Sequence, residues 1–107
     1  MKVFTENGVI FRLGCNAVEN NRLLEDADPG DWWFHVDGHP SGHCIVDSLG
    51  LDENIIQFAA KAVKEQSSQK KKKRCRVVYC RVKDVQRTKV PGKVVLTNTN
   101  HLYHVYV

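Results

Sequence analysis

The chain has 107 residues, of which 42% are hydrophobic and 26% charged, a composition typical of one folded domain with a modest core. It excludes disorder of the whole chain, and no apolar run is long enough for a signal peptide or a membrane span. Without a secretion signal, the four cysteines (Cys15, Cys44, Cys75 and Cys80) are expected to be reduced thiols in a cytoplasmic or nuclear protein.

The first half of the chain predicts a β-hairpin and two further strands. Asn7-Gly8 is a favoured two-residue turn between alternating apolar segments. A polar stretch that contains Leu23-Leu24 predicts one or two helical turns, and the Asp-Pro-Gly-Asp sequence at 28–31 predicts a turn. The expected strands are Lys2–Thr5, Val9–Leu13, Trp32–Val36 and Cys44–Val46.

The second half predicts a long amphipathic helix followed by three strands. Asp52 is expected to cap a helix that runs to about Gln66, in which apolar residues recur at helical spacing. Residues 83–89 are predicted to be irregular, and residues 98–100 are predicted to form the hairpin turn that joins the last two strands. The expected strands are Arg76–Val82, Lys93–Thr97 and His101–Val107. The pattern predicts a single α+β domain, residues 1–107, with a mainly antiparallel sheet packed against one principal amphipathic helix.

The net charge of +4 hides a strong asymmetry along the chain. Residues 1–60 contain 3 Lys or Arg and 10 Asp or Glu, whereas residues 61–93 contain 13 and 2, a local charge of +11. Such segregation is costly in self-repulsion, and contact with a polyanion would relieve it. For the lysine run taken alone, a solvated basic loop remains an equal alternative.

The basic half is the first candidate site. Phosphate binding needs repeated cationic donors along a surface, and counterion release supplies the binding energy. The later cations alternate with strand residues rather than with disorder-promoting ones, which favours an organised patch. The predicted phosphate contacts are Lys70, Lys71, Lys72, Lys73, Arg74, Arg76, Arg81, Lys83, Arg87, Lys89 and Lys93.

The aromatic strand and the histidines after it form the second candidate site. Unpaired RNA bases commonly stack on aromatic rings, and Trp33, His35 and His43 would offer such stacking or hydrogen bonds to bases. Alternation places Trp33 and His35 on one face of the strand and Trp32 and Phe34 on the other. One of these faces is expected to be core, so packing is the favoured role for any single aromatic ring and base stacking is the alternative. For His35, binding and a structural role in fixing the following loop are equally open.

Metal and nucleophile chemistry is a weaker interpretation of the same region. His35, His39 and His43 are spaced by four, but the intervening glycines and proline disfavour a helix that would align them. His43 and Cys44 are adjacent and should face opposite sides of a strand, so His43 is not expected to activate the thiol. No phosphate-cradling glycine loop or nucleophile elbow is present. We therefore expect no catalysis, no metal and no cofactor.

Two blocks of residues resemble the NFACT-R domain family. The first block comprises Gly14-x-Asn16, Asn20/Asn21 followed by Leu23-Leu24, Asp31-x-Trp33-Phe34-His35-Val36 and Pro40-Ser41-Gly42-His43. The second comprises Val78-Tyr79, Lys83-Asp84-Val85 and Lys89-x-Pro91-Gly92-Lys93-Val94. The resemblance covers essentially the whole chain, and the block around Trp33 is specific.

The resemblance implies RNA binding, because this family is the predicted RNA-binding part of ribosome quality-control factors and of fibronectin-binding-A-like proteins. It implies rRNA or tRNA as the ligand and the ribosome as a partner. Three departures stand out. Cys15 replaces a frequently basic residue, which weakens phosphate binding by that loop, and Trp32 replaces a more usual aliphatic residue. The order Pro40-Ser41-Gly42-His43 differs from the common Pro-Gly-Ser-His, so a shifted loop backbone is expected.

Other classes of function remain open on the sequence alone. A basic surface also suits a protein-interaction module that docks on an acidic partner. DNA binding is compatible too, because phosphate contacts do not by themselves separate DNA from RNA. A metal-dependent hydrolase built on the histidines and Cys44 is the least favoured alternative. Sequence-tolerant RNA binding is the function that the residues favour.

Overall fold

A six-stranded antiparallel sheet is the centre of the computed structural model, which describes all of residues 1–107. Two helices pack on this sheet beside a separate two-stranded hairpin, so the predicted α+β class is confirmed. No helix is both long enough and apolar enough to cross a membrane. The elements are β1 Lys2–Glu6, β2 Val9–Leu13, α1 Ala17–Asp26, β3 Trp32–Val36, β4 Cys44–Asp47, α2 Glu53–Glu65, β5 Arg76–Arg81, β6 Val85–Arg87, β7 Val94–Leu96 and β8 Tyr103–Tyr106.

The large sheet begins with the predicted hairpin and ends with the last strand of the chain. Its strand order is β1-β2-β4-β3-β5-β8, and every neighbouring pair is antiparallel. Asn7 and Gly8 have φ values of 51° and 78°, the left-handed conformation that a tight type I′ turn requires. Phe34 pairs with Cys44 on one side and Tyr79 on the other, so β3 is a central strand.

Each face of the sheet is covered by its own hydrophobic core. On one face, Phe34 and Val36 pack against α2. On the other, Trp33 and Ile45 pack against Leu23 of α1, and the β6–β7 hairpin closes the same core. Alternate residues of β3 therefore face two different cores, which explains why this strand is apolar or aromatic at nearly every position.

Both helices begin at a side-chain cap. Asp52 Oδ1 accepts a hydrogen bond from Ile55 N at 2.9 Å, which confirms the predicted start of α2. Asn16 Oδ1 accepts from Glu19 N at 2.9 Å and starts α1 in the same way. With ten residues, α1 is longer than the one or two turns expected, because its cap and the burial of Leu23 add to a weak local propensity.

The last third of the chain departs from the prediction. The expected hairpin between the last two strands is wrong, because β7 pairs with β6 and β8 pairs with β5. A short 3₁₀ turn at Thr99–His101 redirects the chain, while Thr97 N donates to Asp84 O at 2.9 Å and holds the end of β7 beside β6. The chain then crosses to the edge of the large sheet, where Val105 joins the core beneath α2. Residues 85–87, expected to be irregular, form β6.

Candidate nucleic-acid interface

A cleft of about 930 Å³ opens at the end of the sheet where β3 stops and β5 begins. Four segments enclose it: the N-terminus of α1, the loop 37–43, the segment that follows α2, and the tip of the β6–β7 hairpin. These segments are far apart in sequence, so the tertiary fold creates the cleft. Its lining includes Trp33, His35 and His43, the three ring-bearing residues that the sequence selects as a candidate site.

The three rings form one stacked and hydrogen-bonded cluster. The rings of Trp33 and His35 are nearly parallel, with 7° between their planes and 5.5 Å between centroids, and His43 stands edge-on to both. Trp33 Nε1 donates a hydrogen bond to His43 Nδ1 at 3.1 Å. Trp33 and His43 are buried, whereas His35 is only partly buried. His35 is therefore the most accessible ring of the cluster, and the buried rings of Trp33 and His43 pack against it.

Both histidines of the cluster are held in the neutral form. Burial, and then the neighbouring His35, lower the pKa of His43 to about 3, although a backbone hydrogen bond with Gly92 raises it. Burial also lowers the pKa of His35, against smaller opposing effects of the Val36 backbone and Asp37. At neutral pH the floor is thus an uncharged aromatic surface, which suits ring stacking better than phosphate binding.

Close backbone contacts fix the position of His43. Its N–H donates to Asn20 Oδ1 at 3.0 Å, and its carbonyl accepts from Gly14 N at 2.9 Å. The adjacent Gly42 N donates to Gln66 O at 2.8 Å. A Cβ on Gly14 would overlap Asn20 Oδ1, and a Cβ on Gly42 would overlap the Gly14 carbonyl. Only glycine permits this approach, which ties both helices and the end of β2 to the cleft wall.

Two of the predicted phosphate contacts, Lys70 and Lys93, line the cleft from different segments. Lys70 opens an exposed basic turn that continues through Lys71–Lys73. Lys93 closes the β6–β7 loop, where its carbonyl accepts from Thr88 N at 3.2 Å, and Lys89 is exposed in that loop. None of these lysines lies within ion-pair distance of a carboxylate. Their charges are therefore free to meet an anionic ligand.

Two of the predicted arginine contacts are paired with carboxylates of the protein. Arg76 Nε lies 3.3 Å from Asp37 Oδ2, beside the cleft. Arg87 Nη1 lies 2.7 Å from Glu25 Oε1, which links the β6–β7 hairpin to α1. Both pairs are solvent-exposed and hence weak. A phosphate would have to compete with a carboxylate at each of them.

The remaining predicted cations lie on aromatic rings or far from the cleft. The Arg74 guanidinium sits 4.2 Å from the centre of the Tyr106 ring. Arg81 sits 4.0 Å from the centre of the Trp32 ring, at the opposite end of β3 and β5 from the cleft. Lys83 is exposed in the 3₁₀ turn that follows Arg81. The predicted cations thus divide into a group at the cleft and a group at the far end of the sheet.

The four-apart histidines do not converge on one point. His35 and His43 lie 5.0 Å apart between ring centroids, but His39 is exposed in the loop, with Nδ1 3.3 Å from Gln69 Nε2. No group of three His, Cys, Asp or Glu side chains is placed to hold a metal ion. Cys44 packs in the core beneath α2, on the opposite face from His43, and burial raises the pKa of its thiol to about 12.

Two further residues of the cleft, Asn20 and Gly92, belong to the blocks that resemble the family but are not among the predicted site residues. Asn20 is polar yet only 5% exposed, and Gly92 packs against Ala17 with a φ of 81°. A signal for Asn20 does exist in the sequence. It stands three and four residues before Leu23 and Leu24, and all three are buried on one face of α1.

These observations define a small α+β domain whose cleft has a neutral aromatic floor and is bordered by exposed lysines. Residues 1–99 match the family described as the NFACT protein RNA binding domain. The chain therefore belongs to the NFACT RNA-binding domain family, as the sequence resemblance implies, and it is an RNA-binding module of that family.

One solved structure extends this comparison. The C-terminal part of the fibronectin/fibrinogen-binding protein from Streptococcus suis is similar with a TM-score of 0.88 and 22% sequence identity. The alignment covers 98% of this chain but 43% of that chain, so this chain spans less than half of its length. At this identity the similarity shows a shared fold. No curated protein matches the sequence.

Proposed function

We propose that this domain binds structured RNA, with rRNA and tRNA as the candidate ligands, and acts without catalysis in translation and ribosome quality control. The observation that carries the proposal is the cleft, which is lined both by Lys70 and Lys93 and by the neutral rings of Trp33, His35 and His43. Lysines bind phosphates whatever the base sequence of the RNA, and a neutral ring surface can stack with unpaired bases. The ribosome is the proposed larger partner, and the cytoplasm the proposed location.

The proposed phosphate path starts at the cleft and follows the basic residues on either side of it. The central part of this path consists of Lys70–Lys73, Lys89 and Lys93, none of which forms an ion pair with a carboxylate. Arg74 would contact a phosphate by leaving the Tyr106 ring, and Arg76 and Arg87 would do so by leaving their carboxylate partners. Arg81 and Lys83 would join only if the RNA extends to the far end of the sheet.

The test is binding of the purified domain to fluorescent tRNA, rRNA fragments and DNA of matched length across a salt series. The double variant K70A/K93A removes both cleft lysines. K2A/K61A is its matched control, because it removes two exposed lysines that do not line the cleft. We expect the slope of log affinity against log salt to become shallower by about two for K70A/K93A and to stay unchanged for the control. The Lys70–Lys73 to Ala variant should reduce it further.

The outcomes separate the proposed function from its rivals. Tighter binding of RNA than of matched DNA, with loss in K70A/K93A, supports the RNA proposal. Equal binding of both polymers would change the proposal to general nucleic-acid binding. An absence of binding to every RNA at low salt would overturn it for this domain. An acidic protein partner would then become the better explanation of the basic surface.

A further inference from the structure

We infer that the cleft takes one unpaired nucleotide of the bound RNA, with its base stacked on the outer ring face of His35 and its flanking phosphates on Lys70 and Lys93. This inference rests on the proposed function and specifies which part of the RNA enters the site. In a duplex, the neighbouring base pairs cover both faces of each base. Only an unpaired nucleotide can therefore offer a free ring face to a side chain in a cleft.

Of the three rings in the floor of the cleft, His35 is the only one that is not fully buried, so it is the one that a base could stack on. The indole of Trp33 covers one face of it in a nearly parallel stack. His43 stands edge-on beside it, at 5.0 Å between ring centroids, and Val78 pairs with it on β5. Because His35 is partly buried and lines the cleft, the ring face opposite Trp33 is the one that we assign to the base. A base placed there would extend an existing stack by one ring, on a support that is already ordered.

A buried amide provides a polar contact beside this stack. Asn20 is 5% exposed and lines the cleft, and its Oδ1 is fixed by the hydrogen bond from His43 N at 3.0 Å. Its Nδ2 has no acceptor in the protein but is not sealed from solvent. It is therefore a preoriented donor. Every base carries acceptors on its edge, so this donor fits a nucleotide without dictating its identity.

The charges around the cleft favour the phosphates on either side of the base. Lys70 and Lys93 line it from two segments, and neither is paired with a carboxylate. Two carboxylates, Asp37 and Glu65, also line it, but Asp37 is compensated by Arg76 at 3.3 Å. Within the lining the two lysines balance the two carboxylates, and the surplus of positive charge around the cleft comes from Arg76 and from the exposed Lys71–Lys73 beside it. The lowered pKa of His35 keeps that ring neutral, so stacking on it does not require a charged partner.

The experiment uses two RNA hairpins of equal length, one fully paired and one with a single bulged 2-aminopurine. Stacking on an aromatic ring quenches the fluorescence of this base analogue. His35→Leu removes the ring but keeps much of its volume, whereas His35→Phe keeps a stacking surface. His104→Leu is the matched control, because His104 is an exposed strand histidine outside the cleft. Thermal melts by circular dichroism verify that each variant is folded.

We expect the wild-type domain to bind the bulged hairpin about tenfold more tightly than the paired one, and to quench its fluorescence. His35→Leu should lose both the preference and the quenching, while His35→Phe and His104→Leu should retain them. Salt-dependent binding of both hairpins with equal affinity and no quenching would overturn this inference and leave the proposed function standing. A domain that binds neither hairpin would overturn both.

Discussion

Trp33 Nε1 donates a hydrogen bond to His43 Nδ1 across 3.1 Å, and both side chains are at most 2% exposed. The bond makes Nδ1 an acceptor, so the neutral imidazole carries its proton on Nε2. It also locks the indole plane against which His35 stacks. One buried hydrogen bond thus sets the geometry of the whole floor of the cleft.

The first prediction concerns the stability that this bond supplies. Trp33→Phe leaves His43 Nδ1 buried without a donor, and we expect it to lower the free energy of unfolding by roughly 3 kcal/mol, with lost packing included. Trp32→Phe is the control, because the buried Nε1 of Trp32 has no hydrogen-bond partner to lose. Urea denaturation followed by circular dichroism measures both variants. An equal loss in the two would show that the Trp33–His43 bond contributes nothing beyond ring burial.

The second prediction is a pH dependence of stability. Unfolded His43 gains a proton as the pH falls below about 6.5, whereas burial keeps the folded ring neutral down to about 3. The unfolded state therefore binds more protons between these values. In that window we expect the free energy of unfolding to fall by up to ~1.4 kcal/mol per pH unit from this group. The lowered pKa of His35 acts in the same direction.

Urea denaturation at pH 7 and pH 5 measures this effect. His43→Gln keeps a hydrogen-bonding side chain but removes the titrating group, so the difference between the two pH values should shrink. The titration of carboxylates is common to both proteins and cancels in the comparison. An unchanged difference in His43→Gln would assign the pH dependence to other groups.

The third prediction concerns the contact between Gly42 and Gly14. A Cβ at residue 42 would overlap the Gly14 carbonyl, so we expect Gly42→Ala to destabilise the fold by about 1–3 kcal/mol. Gly50→Ala is the matched control. Its added Cβ meets no atom within 4 Å and its φ is not positive, so a change within about 0.5 kcal/mol is expected. Thermal melts of both variants check the difference, and similar melting temperatures would refute the close contact.

The fourth prediction separates the two groups of cations. Lys93→Ala should make the salt dependence of RNA binding shallower by about one unit, as expected for the loss of one phosphate contact. Arg81→Ala should leave it unchanged, because Arg81 lies on Trp32 at the far end of the sheet. Fluorescence anisotropy with one tRNA across a salt series makes the comparison. An equal loss in the two variants would show that the RNA path runs the length of the sheet.

Much of the fold could be predicted because its signals are local. The Asn7-Gly8 turn and the Asp52 cap depend on residues a few positions apart, and both occur as expected. The pairing of β8 with β5 could not be predicted in this way. It depends on the 3₁₀ turn at Thr99–His101 and on the fit of Val105 beneath α2, which are tertiary contacts.

The candidate site shows the same division. The rings of Trp33, His35 and His43 are brought together because β3 and the end of its loop are neighbours in both sequence and space. The number of charged residues in each part of the sequence does not show which cations are free to bind phosphate and which form ion pairs. Glu25 meets Arg87 from 62 positions away, and only the fold reveals that pair. The roles of the individual cations in RNA binding therefore remain predictions.

The placement of the four cysteines has a practical consequence. Cys44, Cys75 and Cys80 are buried, and burial raises the pKa of Cys44 and Cys80 to about 12, so these thiols are poor nucleophiles. Cys15 is exposed and lines the cleft. A maleimide dye should therefore label the native protein at this one position without any substitution. The unaltered molecule thus provides its own attachment point for a fluorescent reporter beside the nucleotide it is proposed to hold.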